Sequence, residues 1–128
     1  WQELVLVIAM TTKVIEQRKI KCAQYWPLEK GETLRIGDLF EIKNLDVDDM
    51  DDYRVSKLLI RHLPSAQQRQ IVHCQFTSWP DHGVPKTASH IIEFIQLVRK
   101  HQRESLLKQF SNWSGHPNGP PICVHCSA

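Results

Sequence analysis

Between residues 69 and 103 the hydrophobic repeat changes from two to about 3.6 residues, and the change is made across the segment WPDHGVP, residues 79–85. On the near side, Val72, Cys74 and Phe76 alternate with His73, Gln75 and Thr77. That alternation predicts a half-buried antiparallel strand over residues 69–78, with Cys74 in the core and His73 facing outward. On the far side, Ile91, Phe94, Ile95 and Val98 recur at helical spacing, with Glu93, Gln96 and Arg99 on the other face. A helix follows over residues 89–103, with Thr87 or Ser89 as its N-cap. The segment between contains Trp79, Gly83 and two prolines, so it is not a strand interior. It reads as a loop with an apolar anchor at Trp79, placed to move as a lid, and Asp81 is its one carboxyl.

Upstream, residues 3–12 are rich in Val, Leu and Ile and predict a buried strand. A polar turn at residues 16–19 leads to a strand over residues 20–26, and a turn at residues 29–32 precedes a short strand over residues 39–44. The acidic run DVDDMDD, residues 46–52, invites a test as a calcium loop. Met50 stands at a ligand position, Asp51 replaces the glycine and Lys57 replaces the final glutamate. The run is therefore a solvated turn between strands. Residues 53–63 form another strand, joined to the next by a turn at Pro64-Ser65. After the helix, SNWSGHPNGPP is a loop, and residues 122–124 form a short buried strand leading to His125 and Cys126. Strands, then a helix, then a strand predict an α/β fold with a mixed sheet under helical cover.

At 128 residues the chain is one domain or a piece of one. It begins on Trp1 almost inside a strand and ends on Ala128 just after its most distinctive motif, which suggests an internal, partial domain. Lysine plus arginine number 16 against 14 acids, a net charge of +2 that gives no reason to invoke a nucleic-acid partner. The longest apolar run, residues 4–10, is far short of a membrane span. Without secretory signals, Cys22, Cys74, Cys123 and Cys126 read as reduced thiols of a cytoplasmic protein, and the Asn112-Trp113-Ser114 sequon carries no weight there.

Two chemistries are open to the C-terminal CVHC. As a redox or metal pair, Cys123 and Cys126 would need a following helix or two further ligands. On an extended backbone they point to opposite faces and do not bridge. Alternatively Cys126 acts alone. A thiolate at a strand end, where the chain turns and directs backbone N–H groups inward, is stabilised by the same groups that bind phosphate. His125 would orient that turn by hydrogen bonding. The thiolate attacks phosphorus, and a carboxylic acid on a closing lid, Asp81, protonates the leaving oxygen and then activates water. No metal or other cofactor enters this scheme. Taken singly, Cys126 is an ordinary core thiol and Asp81 an ordinary turn residue.

Three stretches taken together resemble the tyrosine-specific protein phosphatase (protein-tyrosine phosphatase) family. FTSWPDHGVP, residues 76–85, is similar to its mobile acid loop. VHCSA, residues 124–128, is similar to the start of its H-C-S/A-A-G-x-G-R signature. KCAQYWP, residues 21–27, is a third family word, and IGD, residues 36–38, stands where a YGD-like word is expected. The resemblance spans nearly the whole chain. It implies a twisted mixed β-sheet flanked by helices and hydrolysis of phosphotyrosine in proteins. Cys126 would be the nucleophile that becomes phosphocysteine, and Asp81 the general acid. His125, Ser127 and Ala128 would belong to the phosphate-binding loop, Trp79 and Pro80 to the hinge of the acid loop. Lys21 would pair with Asp81, and Glu16 would hold the signature arginine. Its partners would be phosphotyrosine proteins. Ser56 stands where the family usually has arginine, residues 100–118 are longer than usual, and the signature arginine would lie after Ala128. A phosphotyrosine-binding pseudophosphatase and a thiol–disulfide enzyme are the alternatives.

Overall fold

Six strands form one twisted, mixed sheet in the order β4-β5-β6-β7-β1-β8. The strands are β1 (Val7–Met10), β4 (Thr33–Ile36), β5 (Phe40–Asp49), β6 (Tyr53–His62), β7 (Gln67–Phe76) and β8 (Cys123–His125). A separate hairpin pairs β2 (Ile15–Glu16) with β3 (Lys19–Ile20), and one helix among the described residues, α1, runs Ser89–Gln109. The computed structural model describes residues 3–80 and 82–127. Trp1, Gln2, Asp81 and Ala128 lie outside the described residues.

β4 to β7 form an antiparallel meander, and β7, β1 and β8 are parallel to one another. A parallel return requires a crossover, and α1 with its loop supplies the one between β7 and β8. The sheet is covered on both faces. Leu6, Val7, Ala9, Val55, Val72, Cys74 and Phe76 meet Phe94 and Val98 of α1. On the opposite face Met10, Ile42 and Leu58 pack under Trp26, with Tyr25 and Cys22 beside it. Asn44, fully buried, donates to the carbonyls of Pro27 (2.8 Å) and Leu28 (3.3 Å), and Arg54 also donates to Leu28 O (2.7 Å). These bonds pin residues 21–28 across the sheet. Gln102 of α1, also buried, donates from Nε2 to Pro120 O and anchors the approach to β8.

Several expectations change. Of the strand expected over residues 20–26 only Ile20 is extended, at the end of β3. Cys22, Tyr25 and Trp26 lie on the sheet rather than in it, because Trp26 and Tyr25 bury apolar area by capping a face. β4 forms where the sequence pattern predicts no strand. β5 continues to Asp49, through an irregularity between Asn44 and Asp46, so half of the acidic run is strand rather than turn. The opposite strand supplies the reason: Asp46 faces Lys57 and Asp49 faces Arg54. α1 extends to Gln109, since Gln102 and Leu106 prolong its inner face. Its N-cap is Ala88, with no side-chain cap, although Thr87 Oγ1 accepts the Ser89 N–H at 3.3 Å. β8 is an edge strand among the described residues, and Cys123 and Val124 are exposed rather than buried.

The largest correction is His73. It is 1% exposed, not outward-facing, because residues 25–26 cover its side of the sheet. From Ile71 to Phe76 β7 is buried on both faces, because α1 covers one and Trp26 with Tyr25 the other.

Candidate active site

In open sheets with parallel strands, ligands bind outside the carboxyl ends of those strands. Here the carboxyl ends of β1, β7 and β8 lie side by side, and backbone bonds tie them together. Thr11 N–H donates to His125 O at 3.1 Å, which fixes the exit of β8 against the exit of β1. Gln75 of β7 donates from Nε2 to Thr12 O at 3.1 Å in a buried position. Thr12 in turn donates from its hydroxyl to Glu16 Oε1 at 3.2 Å. Cys126 and Ser127 follow His125 directly and are exposed. Trp79, three residues past the end of β7, is partly buried and packs against the core under α1, edge-on to Phe76 (ring centroids 6.4 Å). Pro80 is exposed.

The β2–β3 hairpin reaches the same end. Its turn residues Gln17 and Arg18 both have positive φ (47° and 63°), the two-residue geometry whose twist matches paired strands. That turn aims Gln17 Nε2 at His82 Nε2, 2.8 Å away on the loop after Pro80. Lys21 leaves the hairpin exposed, with its backbone N–H donating to Val14 O at 2.8 Å, and Glu16 is half-buried. Asp81 and Ala128 lie outside the described residues.

Under His125 is a polar cluster. The Tyr25 hydroxyl lies 2.6 Å from His125 Nε2 and 2.8 Å from His73 Nε2. His125 Nδ1 donates to Cys126 O at 3.2 Å, and His73 stacks on Trp26 with centroids 4.1 Å apart. Burial, and then the neighbouring His125, push His73 down to about 3, so it is neutral at physiological pH. Burial, then the Cys22 and Cys123 thiols, push the Tyr25 hydroxyl upward, so it keeps its proton. Burial pushes the Cys74 thiol up to about 12 and makes it inert.

The protein-tyrosine phosphatase family model matches residues 1–128. The chain belongs to the protein-tyrosine phosphatase family. It is 44% identical over 128 residues to the human tyrosine-protein phosphatase non-receptor type 9, covering 100% of this chain and 21% of that protein. To the tyrosine-protein phosphatase corkscrew of Drosophila melanogaster it is 40% identical over 130 residues, covering 100% of this chain and 14% of that protein. To the human receptor-type tyrosine-protein phosphatase eta it is 31% identical over 128 residues, covering 100% of this chain and 8% of that protein. The chain thus spans about a fifth or less of the length of these relatives.

In this protein-tyrosine phosphatase chain all four cysteines are thiols rather than disulfides, with Cys123 in β8 and Cys126 beyond its end. Among the described residues no group of three or more His, Cys, Asp or Glu side chains is placed to hold a metal ion, and no helix is long and apolar enough to cross a membrane. Four residues of the site were not picked out from the sequence: Thr12, Tyr25, His73 and Gln75. The available signal is a double one, in β7 and in residues 21–27. His73 and Gln75 alternate with a fully apolar face, and the YW pair of KCAQYWP is an aromatic cover with one polar handle.

Proposed function

We propose that the protein hydrolyses phosphotyrosine in proteins through a phosphocysteine intermediate on Cys126. The supporting observation is the convergence at one sheet end of the β8 exit, the loop after β7 and the β2–β3 hairpin. The Cys126 thiolate attacks phosphorus, an S–P bond forms, and the P–O bond to tyrosine breaks. The departing phenolate takes the proton of the Asp81 carboxylic acid. The Asp81 carboxylate then takes a proton from water. The resulting hydroxide attacks phosphorus, the S–P bond breaks, and inorganic phosphate leaves with the thiolate restored.

Backbone N–H groups of the turn begun by His125, Cys126, Ser127 and Ala128 hold the phosphoryl oxygens. Trp79 and Pro80 form the hinge side of the loop bearing Asp81. Lys21 pairs with Asp81 while the loop is closed, and Glu16 orients the arginine of the phosphate-binding loop. The substrates are phosphotyrosine proteins met in the cytoplasm, by a soluble enzyme or by the internal portion of a receptor. Residues 1–128 expressed alone are expected to turn over p-nitrophenyl phosphate poorly, since each missing oxyanion donor costs about a hundredfold or more.

The test uses the full-length protein and a phosphotyrosyl peptide. Cys126→Ser should abolish turnover while binding survives, and Asp81→Ala should slow turnover and trap substrate. Binding without turnover in the unsubstituted protein would instead make it a pseudophosphatase. Activity that depends on Cys123 would make it a thiol–disulfide enzyme.

A further inference from the structure

The far end of α1 carries an apolar tip. Leu107, 73% exposed, and Phe110, 37% exposed, lie one turn apart where the helix stops. The Phe110 N–H donates to Leu106 O at 2.8 Å, and Phe110 O accepts the Trp113 N–H at 3.2 Å, so the chain turns back and sets Trp113 beside the helix end. The Trp113 indole is held in its own turn. Its Nε1 donates to His116 O at 2.9 Å, and the ring lies so close over Gly115 that a Cβ there would strike it. One exposed apolar residue needs no explanation. Three large ones at one helix end, with the loop hydrogen-bonded around them, call for a cover.

Positive charge collects at the same place. Residues 99–119 hold Arg99, Lys100, Arg103 and Lys108 against one acid, Glu104, while the whole chain has 16 cations against 14 acids. Glu104 is taken by Lys100 at 3.9 Å. Arg99, Arg103 and Lys108 are exposed and have no acidic partner among the described residues. Arg99, Arg103 and Leu107 recur every four residues, so they share one stripe that runs down the outer face of α1 towards Phe110, away from buried Phe94, Val98 and Gln102. An apolar protein groove would match the three apolar side chains and leave the cations unanswered. An anionic lipid surface answers both. Its headgroups attract lysine and arginine, and the boundary below them takes Trp, Phe and Leu.

We propose that the end of α1 and the loop after it seat the protein on a bilayer surface of anionic phospholipid, with Leu107, Phe110 and Trp113 at the headgroup boundary and Arg99, Arg103 and Lys108 among the headgroups. The placement leaves the proposed active site free. α1 returns along the sheet, and Gln109 closes on Gln70 in the first half of β7, accepting from its N–H at 3.1 Å and donating to its carbonyl at 3.2 Å. The tip therefore lies towards the amino end of β7, whereas Cys126 follows the carboxyl end of β8, which runs parallel to it through β1. Gln70 to Phe76 spans about 20 Å at the rise of a strand. Seated this way, the Cys126 end points away from the lipid and stays open to proteins. The inference does not depend on the chemistry assigned to Cys126.

Full-length protein and unilamellar vesicles test it. Vesicles of phosphatidylcholine with phosphatidylserine should bind the protein more tightly than phosphatidylcholine alone, and added salt should weaken the binding. Arg99→Gln combined with Arg103→Gln should lower the affinity for the phosphatidylserine vesicles about tenfold or more, and Leu107→Ser should lower it too. The thermal midpoint and kcat on a soluble phosphotyrosyl peptide should stay unchanged in both variants. Contact is read at the tip itself: phosphatidylserine vesicles with brominated acyl chains should quench tryptophan fluorescence, and the quenching should shrink in Trp113→Phe. Equal affinity of the variants and the unsubstituted protein, or quenching that Trp113→Phe leaves intact, overturns the proposal, also where another part of the full-length chain binds lipid. A tip that captures a protein and gives no response to vesicles overturns it as well. If the double arginine variant does not fold, Leu107→Ser and the quenching decide it.

Discussion

Asn44 offers a test of how the sheet holds its site-bearing cover. Asn44→Ala removes the donor to Pro27 O (2.8 Å) and Leu28 O (3.3 Å). The two losses are unequal. Leu28 O keeps the Arg54 guanidinium at 2.7 Å, so its longer bond to Asn44 counts for little. Pro27 O loses the side-chain partner it has in a fully buried position, and an orphaned carbonyl costs about 1–3 kcal/mol. The cavity left by the carboxamide adds to that. One contribution offsets it: Asn44 Oδ1 is itself buried without a hydrogen-bond partner, and the substitution removes that burden. The backbone bonds of Asn44 with Glu32 and Gly31 remain. The net loss should be about 1–3 kcal/mol. Urea unfolding of the full-length protein reads it as a lower midpoint with an unchanged slope. Residues 21–28 carry Tyr25 and Trp26, so kcat should fall as well. Asn44→Asp sharpens the test, because the introduced carboxyl can donate to Pro27 O only while it is protonated. Burial raises the folded pKa of that carboxyl, so the folded state binds more protons than the unfolded one, and the defect should grow as pH rises above about 4. A loss under about 0.5 kcal/mol for Asn44→Ala, within the surface range, would refute this account of the cover.

The buried neutral His73 should make the protein acid-sensitive. Its folded pKa, about 3, lies below the unfolded value of 6.5, so the unfolded state binds the extra proton. Stability should fall by about 1.4 kcal/mol at most per pH unit as pH drops through that window, and His73→Gln should flatten this limb of a stability-versus-pH curve. Cys74, pushed up to about 12 by burial, should resist iodoacetamide in the native protein, while exposed Cys123 reacts. Cys123→Ser should leave phosphatase turnover within about twofold, since surface substitutions away from the chemistry cost little. Gln17→Ala removes the contact to His82 on the loop after Pro80, so single-turnover kinetics should show slower loop closure with chemistry otherwise intact.

Much of the fold is written in local pattern. The alternation of β7 and the 3.6 period of α1 follow from the sequence because each element buries one continuous apolar stripe. What escaped notice came from elsewhere in the chain. Nothing in residues 67–76 says that Trp26 will lie over His73, so alternation alone makes His73 a solvent-facing residue when it is buried against the Trp26 ring. The segment at 20–26 has strand composition, but its aromatic residues cap a face rather than join an edge. Asp46 and Asp49 read as a turn because their cross-strand partners Lys57 and Arg54 lie after it. The site followed the same division. Cys126 and Asp81 stood out through motif words, whereas Tyr25, Thr12 and Gln75 take their meaning from contacts between segments about 50 to 100 positions apart.

The phosphocysteine intermediate can be observed directly. Full-length protein mixed with 32P-labelled phosphotyrosyl peptide and quenched within milliseconds should carry label on the peptide containing Cys126, as a phosphothioester. The label should be lost in Cys126→Ser and should appear more slowly in Asp81→Asn, which lacks the acid for the leaving phenolate. Steady turnover with no label on Cys126, or turnover that persists in Cys126→Ser, would contradict it.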